Sequence, residues 1–169
     1  GDMGIRDGKR GLCSEIANNR SIAWACAEAR DAAGATRGAT WHTEKSRPHV
    51  EPLLDALGAD IRRPLNVFED GQMQALFDAV AERWGYLDFI LHAVAYAPRQ
   101  DLQGRVTDSS REGFCLAMDA SCHSFVRLAR LAEPLMPHGG SLITMSYLGG
   151  AEVIPHYGIM GPVKAALES

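Results

Sequence analysis

Tyr157 and Lys164 stand seven residues apart, and Tyr147 lies ten residues before Tyr157. Seven residues is close to two helical turns, so on one helix the phenol and the ammonium share a face. A lysine beside a tyrosine favours the phenolate and can also hold a sugar hydroxyl. Such a pair suits proton donation to a carbonyl oxygen, or stabilisation of charge on it. The spacing alone is loosely specified, because a surface lysine and a half-buried tyrosine would look the same. Its meaning depends on the elements that carry it.

Short apolar runs alternate with longer amphipathic stretches along the chain. Strands are expected at residues 11–16, 35–41, 59–65, 87–94 and 141–146, although Glu15 sits badly in the first. The run at 87–94 is nearly continuous in apolar residues, as a strand buried on both faces requires. Helices are expected at 21–33, with Ser21 as N-cap and Gly34 as stop, and at 48–57, ended by Gly58. Another is expected at 71–84, where Met73, Leu76, Phe77, Val80, Ala81 and Trp84 recur at helical period. A long helix runs from a Ser109 cap to about Leu135, and a last one carries Tyr157. Five alternations of strand and helix predict a doubly wound α/β fold, a parallel sheet with helices on both faces, as a single domain over 1–169. Ligands of such sheets bind beyond the carboxyl ends of the strands, where strand order reverses. The ends of strands one and four, together with Tyr147, are therefore expected to converge on one crevice.

Composition narrows the function classes. The 169 residues are 46% hydrophobic and 22% charged, with net charge −4, so no general attraction to nucleic acid or to an anionic membrane is expected. No apolar run is long enough to span a bilayer, and the first residues have no signal-peptide core; a cytoplasmic protein is expected. Cys13, Cys26, Cys115 and Cys122 form no C-x-x-C pair and are expected to be reduced core thiols. The histidines are scattered without metal-ligand spacing, so no metal site is expected; His92 and His156 read as structural.

The compact G-x-G-x-x-G turn of many dinucleotide-binding domains is absent. In its place stands Ile16-Ala17-Asn18-Asn19-Arg20-Ser21-Ile22-Ala23-Trp24. This segment closely resembles the cofactor loop of bacterial enoyl-acyl-carrier-protein reductases, a divergent branch of the short-chain dehydrogenase/reductase superfamily whose longer loop ends in Ser-Ile-Ala. The resemblance continues through residues 87–98, 101–106, 110–114, 121–125 and 133–136. It ends in Met145-Ser146-Tyr147-Leu148-Gly149 and in residues 155–168, which look like that family's active-site segment.

The resemblance implies a Rossmann-like fold and reduction of the trans-2 double bond of an enoyl thioester, the last step of each elongation cycle of bacterial fatty acid synthesis. It implies NADH as the cofactor, with NADPH less favoured. Hydride would reach the β-carbon, and Tyr157 would stabilise the enolate charge on the thioester oxygen. Lys164 would hold the nicotinamide ribose hydroxyls, and Tyr147 would lie beside the substrate with Ala97 and Met160. Ile16, Ala17, Ser21 and Ile22 match positions near the pyrophosphate and nicotinamide, and His42 lies where the adenosine ribose is selected. Asn66 and Val67 match the adenine-contacting pair, with Asn66 in place of the usual Asp. Ala93, Val94 and Ala95 would floor the cofactor site. The implied partners are acyl carrier protein and further copies of the chain, in a homotetramer built through the long helix and the Tyr157 helix.

The chain also departs from the family pattern. Glu15 occupies a glycine position against the cofactor diphosphate, where a carboxylate adds bulk and repels phosphate. Ala25 replaces another glycine, and Arg37 and Gly38 interrupt what is expected to be a buried, β-branched strand. The family pattern runs past Ser169 through two more strands and a helical flap, so those C-terminal strands are expected to be missing from this sequence. Two other readings fit the residues. One is a short-chain reductase acting on another carbonyl or enone, although such relatives usually carry Ser about thirteen residues before the Tyr, where this chain has Thr144-Met145-Ser146. The other is a catalytically impaired fragment or scaffold subunit of the same fold.

Overall fold

Five short strands form one parallel sheet: β1 (Arg10–Cys13), β2 (Thr36–Trp41), β3 (Ile61–Pro64), β4 (Phe89–His92) and β5 (Ser141–Thr144). The computed structural model describes residues 8–16, 34–152 and 154–169. Strand order is β3-β2-β1-β4-β5, so the chain moves outward from β1 to β3 and then returns to β4 beside β1. Right-handed crossovers taken in opposite directions put helices on opposite faces, which is the doubly wound arrangement expected. The expected helix at 21–33 lies outside the described residues.

The strands are shorter than the apolar runs that announce them. Ile16, Leu65 and Leu87 are buried but lie outside the strands. Their N–H groups bond Thr40 O, Trp41 O and Leu135 O respectively. Hydrophobic runs mark burial, and burial continues into the turns after the ladder stops. In β4 the two coincide, since all four residues are buried.

Among the described residues, two helices accompany the sheet. α1 (Arg47–Leu57) has Pro48 in its first turn and ends on Gly58 in the left-handed conformation at φ 61°. α2 (Asp70–Arg83) buries Met73, Leu76, Phe77 and Val80, the stripe its period predicts. Arg37 and Gly38, the departures from a β-branched strand, both stand in the ladder of β2. Arg37 is buried, and its guanidinium donates to Ala35 O at 2.8 Å and to Leu57 O at the end of α1. Gly38 lies close beneath its neighbours: a Cβ there would come 2.7 Å from Leu12 Cδ2 and 3.1 Å from Ile61 Cβ.

Contacts divide the chain into one unit of Gly1–Ala93 and Ala129–Thr144, which holds the sheet, and a second of Val94–Leu128 and Met145–Ser169. The second contains α3 (Arg99–Gln103), α4 (Arg111–Met118), a π-helical turn at Asp119–His123, the first part of α5 (Ser124–Ala132) and α6 (Met160–Glu168). Here the expected long helix is corrected twice. Its cap is Ser110, whose Oγ accepts from Gly113 N at 2.9 Å, whereas Ser109 Oγ turns back to Val106 O. The helix is also broken by the π turn, whose Ser121 is fully buried. Ala117, Ile159, Met160 and Val163 form the core of this unit, with Leu102, Phe114 and Tyr157 packed against it.

Of the described cysteines, Cys13 is buried, Cys122 half-buried and Cys115 exposed, so the expectation of core thiols fails for Cys115. Cys26 lies outside the described residues. No described helix is long and apolar enough to cross a membrane. β5 is an edge of the described sheet, with Leu142 and Ile143 exposed.

Candidate active site

Tyr157 and Lys164 do not share a helix. α6 begins at Met160, and Tyr157 sits in the turn before it. The turn is unusual: His156 has φ 61° and Gly158 has φ 55°. A Cβ on Gly158 would come 2.5 Å from Leu102 O, so only glycine lets the chain pass there. Tyr157 is thus held by packing and backbone turns rather than by helical periodicity.

Tyr147 and Tyr157 pack with ring centroids 4.8 Å apart at 60°. Gly149 lies against the Tyr157 ring, and a Cβ there would come 2.3 Å from Tyr157 Cδ1. Lys164 is buried to 6% exposure, and its Nζ donates to Met145 O at 2.9 Å. Burial lowers the Lys164 pKa, and Glu168 partly offsets this. Burial also raises the Tyr157 pKa, with a further contribution from Tyr147. The expectation that the lysine favours the phenolate is therefore corrected: Tyr157 keeps its proton and is an O–H donor at neutral pH. Ser146 Oγ donates to Glu168 Oε1 at 2.5 Å, which ties the Tyr147 loop to the end of α6.

Three residues that the sequence marks only as members of the resembling runs, with no role of their own, support this segment. Buried Ser121 accepts from Tyr96 N at 2.8 Å and donates to Tyr96 O at 3.0 Å, fixing the loop that contains Val94, Ala95 and Ala97. Buried Asp101 accepts from Ser110 N and Oγ, joining α3 to the start of α4. Gly149 closes the resembling run that begins at Met145, and its place against the Tyr157 ring gives it a role there. Met160 is buried in the core of the unit, with Ala97 packed against that core. An open cavity of about 360 Å³ beside Tyr157 is lined by Gly149, Gly150, Ile154, Gly161 and Ala165.

The sheet unit presents its carboxyl edge separately. Buried Ser14 donates through both N and Oγ to Leu91 O, at 3.1 and 2.8 Å, and accepts from Ala93 N at 2.9 Å. It joins β1 to β4 where strand order reverses. Buried His92 pairs Nδ1 with Thr144 Oγ1 at 2.8 Å, joining β4 to β5. Ile16 follows β1, His42 follows β2, Asn66 and buried Val67 follow β3, and Ala93 follows β4. Asn66 Oδ1 accepts from Phe68 N at 3.1 Å, and Asn66 N donates to Gln72 Oε1 at 2.8 Å. Glu15 has φ 55°, in the left-handed region that favours glycine. Its carboxyl is 21% exposed and lies 3.5 Å from His42 Nδ1, and burial pushes its pKa up to about 7. Ala17, Ser21 and Ile22 lie outside the described residues.

Comparison with known proteins gives this arrangement a family. The family model described as enoyl-(acyl carrier protein) reductase matches residues 16–169. The chain is 43% identical over 166 residues to enoyl-[acyl-carrier-protein] reductase [NADH] 1 of Rhizobium meliloti, covering 98% of this chain and 61% of that protein. The crystal structure of the enoyl-acyl-carrier-protein reductase of Anaplasma phagocytophilum in complex with NAD superimposes with TM-score 0.95 at 41% identity, over 99% of this chain and 64% of that one. The Bacillus cereus enoyl-acyl carrier protein reductase, solved with NADP+ and an indole naphthyridinone, superimposes with TM-score 0.91 at 36% identity, over 98% and 65%. The chain thus spans less than two thirds of the length of these relatives. Sequence across residues 16–169 and structure across nearly the whole chain agree that it belongs to the enoyl-(acyl carrier protein) reductase family.

Proposed function

We propose that this chain supplies the dinucleotide-binding sheet and the tyrosine–lysine centre of an NADH-dependent enoyl-acyl-carrier-protein reductase. It acts in the cytoplasm on trans-2-enoyl chains carried by acyl carrier protein, and it assembles as a homotetramer. The observation that carries this reading is Tyr157, a protonated phenol held against Tyr147 and Gly149 in the same unit as the buried ammonium of Lys164.

Apart from the Glu15 carboxyl, the described residues fit a nicotinamide dinucleotide. An ammonium has three donors, so Lys164, with one on Met145 O, has two more to offer ribose hydroxyls. Strand order reverses between β1 and β4, the place where such sheets take a dinucleotide. In this reading Ile16, Ala17, Ser21 and Ile22 line the pyrophosphate and nicotinamide, and His42 lies by the adenosine ribose. Asn66 and Val67 meet the adenine; the second lone pair of Asn66 Oδ1 accepts from the adenine amino group. Ala93, Val94 and Ala95 form the floor.

A bound reduced nicotinamide would supply hydride to the β-carbon of the enoyl thioester. Negative charge would then develop on the thioester oxygen, the Tyr157 O–H would donate to that oxygen and stabilise it, and uptake of a proton at the α-carbon would complete the reduction. Tyr147 restricts the Tyr157 ring and, with Ala97 and Met160, lies on the substrate side. Lys164 keeps the local potential positive.

The test is a paired measurement on the chain and its Tyr157→Phe variant: NADH binding by fluorescence titration, and turnover of a trans-2-enoyl thioester. Both proteins are expected to bind NADH alike, and turnover is expected to fall about 10²- to 10³-fold in the variant. Folded protein that fails to bind NADH, or a variant that turns over at the parent rate, sinks the reading.

A further inference from the structure

Many NAD-binding folds place a carboxylate at the end of their second strand, where it accepts a hydrogen bond from the ribose 2′-hydroxyl. The same carboxylate repels the 2′-phosphate that distinguishes NADPH. β2 of this chain ends at Trp41 and is followed by His42 and Thr43; the first acid, Glu44, comes three residues past the strand and lies 3.5 Å from Arg47 Nη1, so no acid stands at the strand end itself. The fold brings one from the neighbouring strand.

Glu15 follows β1 by two residues, and its backbone is fastened to β2. Its N–H donates to Thr40 Oγ1 at 3.0 Å, and the next N–H, of Ile16, donates to Thr40 O at 2.9 Å. These bonds hold Glu15 at φ 55°, a conformation that a non-glycine side chain adopts only when its surroundings impose it. The carboxyl then reaches across the end of β2, with Oε1 3.5 Å from His42 Nδ1. It is 21% exposed, so one face stays open to a ligand. The His42 imidazole faces this carboxyl.

We infer that Glu15 is a specificity-determining residue, a β1 substitute for the missing β2 acid, which accepts from the ribose 2′-hydroxyl of NADH and excludes NADPH. The inference rests on the cofactor reading above. Relatives on this scaffold have been seen with NAD and with NADP+, so the scaffold itself does not decide between them.

The experiment measures Kd for NADH and for NADPH, by fluorescence titration and by thermal shift, on the chain and on Glu15→Gln and Glu15→Gly. It is run at pH 8, above the value of about 7 to which burial raises Glu15. Gln keeps the size and removes the charge, and Gly suits the left-handed backbone. The parent is expected to prefer NADH by about 100-fold, and both variants to compress that preference to about tenfold or less. A ratio unchanged in Glu15→Gln overturns the inference while leaving the cofactor reading intact. So does a Glu15→Gly variant that binds both cofactors more tightly in the parent's ratio, because the side chain would then be only an obstruction. Folded proteins of which none binds either cofactor overturn the inference and the cofactor reading together.

Discussion

Glu15 and Lys164 are charged side chains pressed into the protein, one in each unit, and burial drives both toward neutrality. Their surroundings differ. Lys164, at 6% exposure, has a backbone carbonyl at 2.9 Å and a nearby carboxylate, Glu168, that partly restores its charge. Among the described residues the Glu15 carboxyl meets an imidazole nitrogen at 3.5 Å, and its pKa climbs from 4.5 to about 7. A buried charge is tolerated where the backbone turns an acceptor or donor toward it, and is costly where it does not. The tyrosine–lysine segment is built to hold its charge. The end of β1 holds a carboxyl on a backbone suited to glycine.

The largest expected effect tests the Glu15 side. The native state holds the Glu15 proton more tightly than the unfolded chain does, so stability falls as pH rises from 4.5 to about 7. The full loss is on the order of 3 kcal/mol. Denaturant unfolding of the parent and Glu15→Gln between pH 4 and 8 checks it: the variant is expected to lose the downward slope across that window. Parallel curves would mean that Glu15 ionises normally, and the contrast with Lys164 would vanish.

Next comes the packing that holds the tyrosine. Gly149→Ala puts a Cβ 2.3 Å from the Tyr157 ring, an overpacking expected to cost about 1–3 kcal/mol and to shift the ring from its place beside Tyr147. Unfolding free energy and tyrosine near-ultraviolet dichroism read the two consequences. An unchanged protein would show that the centre is loosely held. Ser121→Ala removes a buried hydroxyl bonded to both N and O of Tyr96. It is expected to cost about 1–2 kcal/mol, with faster amide exchange at residues 95–97 than in the parent.

The smallest effect sharpens the Lys164 side. Glu168→Gln removes the charge that raises the Lys164 pKa while keeping an acceptor for Ser146. Reaction of Lys164 with an acylating reagent is expected to begin at lower pH in the variant. Onset at the same pH would mean that Met145 O alone sustains the ammonium.

Much of the fold was legible because the chain alternates clear runs. β4 is a run of four buried residues, α2 carries a regular apolar stripe, and Gly58 and Gly85 stand just past helix ends at positive φ. Strand ends were overestimated at Ile16, Leu65 and Leu87, since the apolar signal reports burial and not pairing. The break at Asp119–His123 left no mark, because a π turn replaces one hydrogen-bond step without demanding a special residue. At the site, the identities of Tyr147, Tyr157 and Lys164 were legible, but what groups them was not. Helical spacing implied a shared face, whereas the turn at His156 and Gly158 sets Tyr157 ahead of α6.

The sequence by itself determined the alternation of strand and helix, the chemical groups of the site and the family to which the chain is similar. Those depend on residue types and local spacing, which the chain carries openly. Only the tertiary structure decided that the Arg37 guanidinium donates to the end of α1, that Ser121 holds Tyr96, and that Glu15 stands against His42, 27 positions further along the chain. These are contacts between segments apart in sequence, two made by hydrogen bonds to particular backbone atoms and one by a pair of side chains. No periodicity encodes them, because which atoms meet is settled by how the elements pack and where each turn ends.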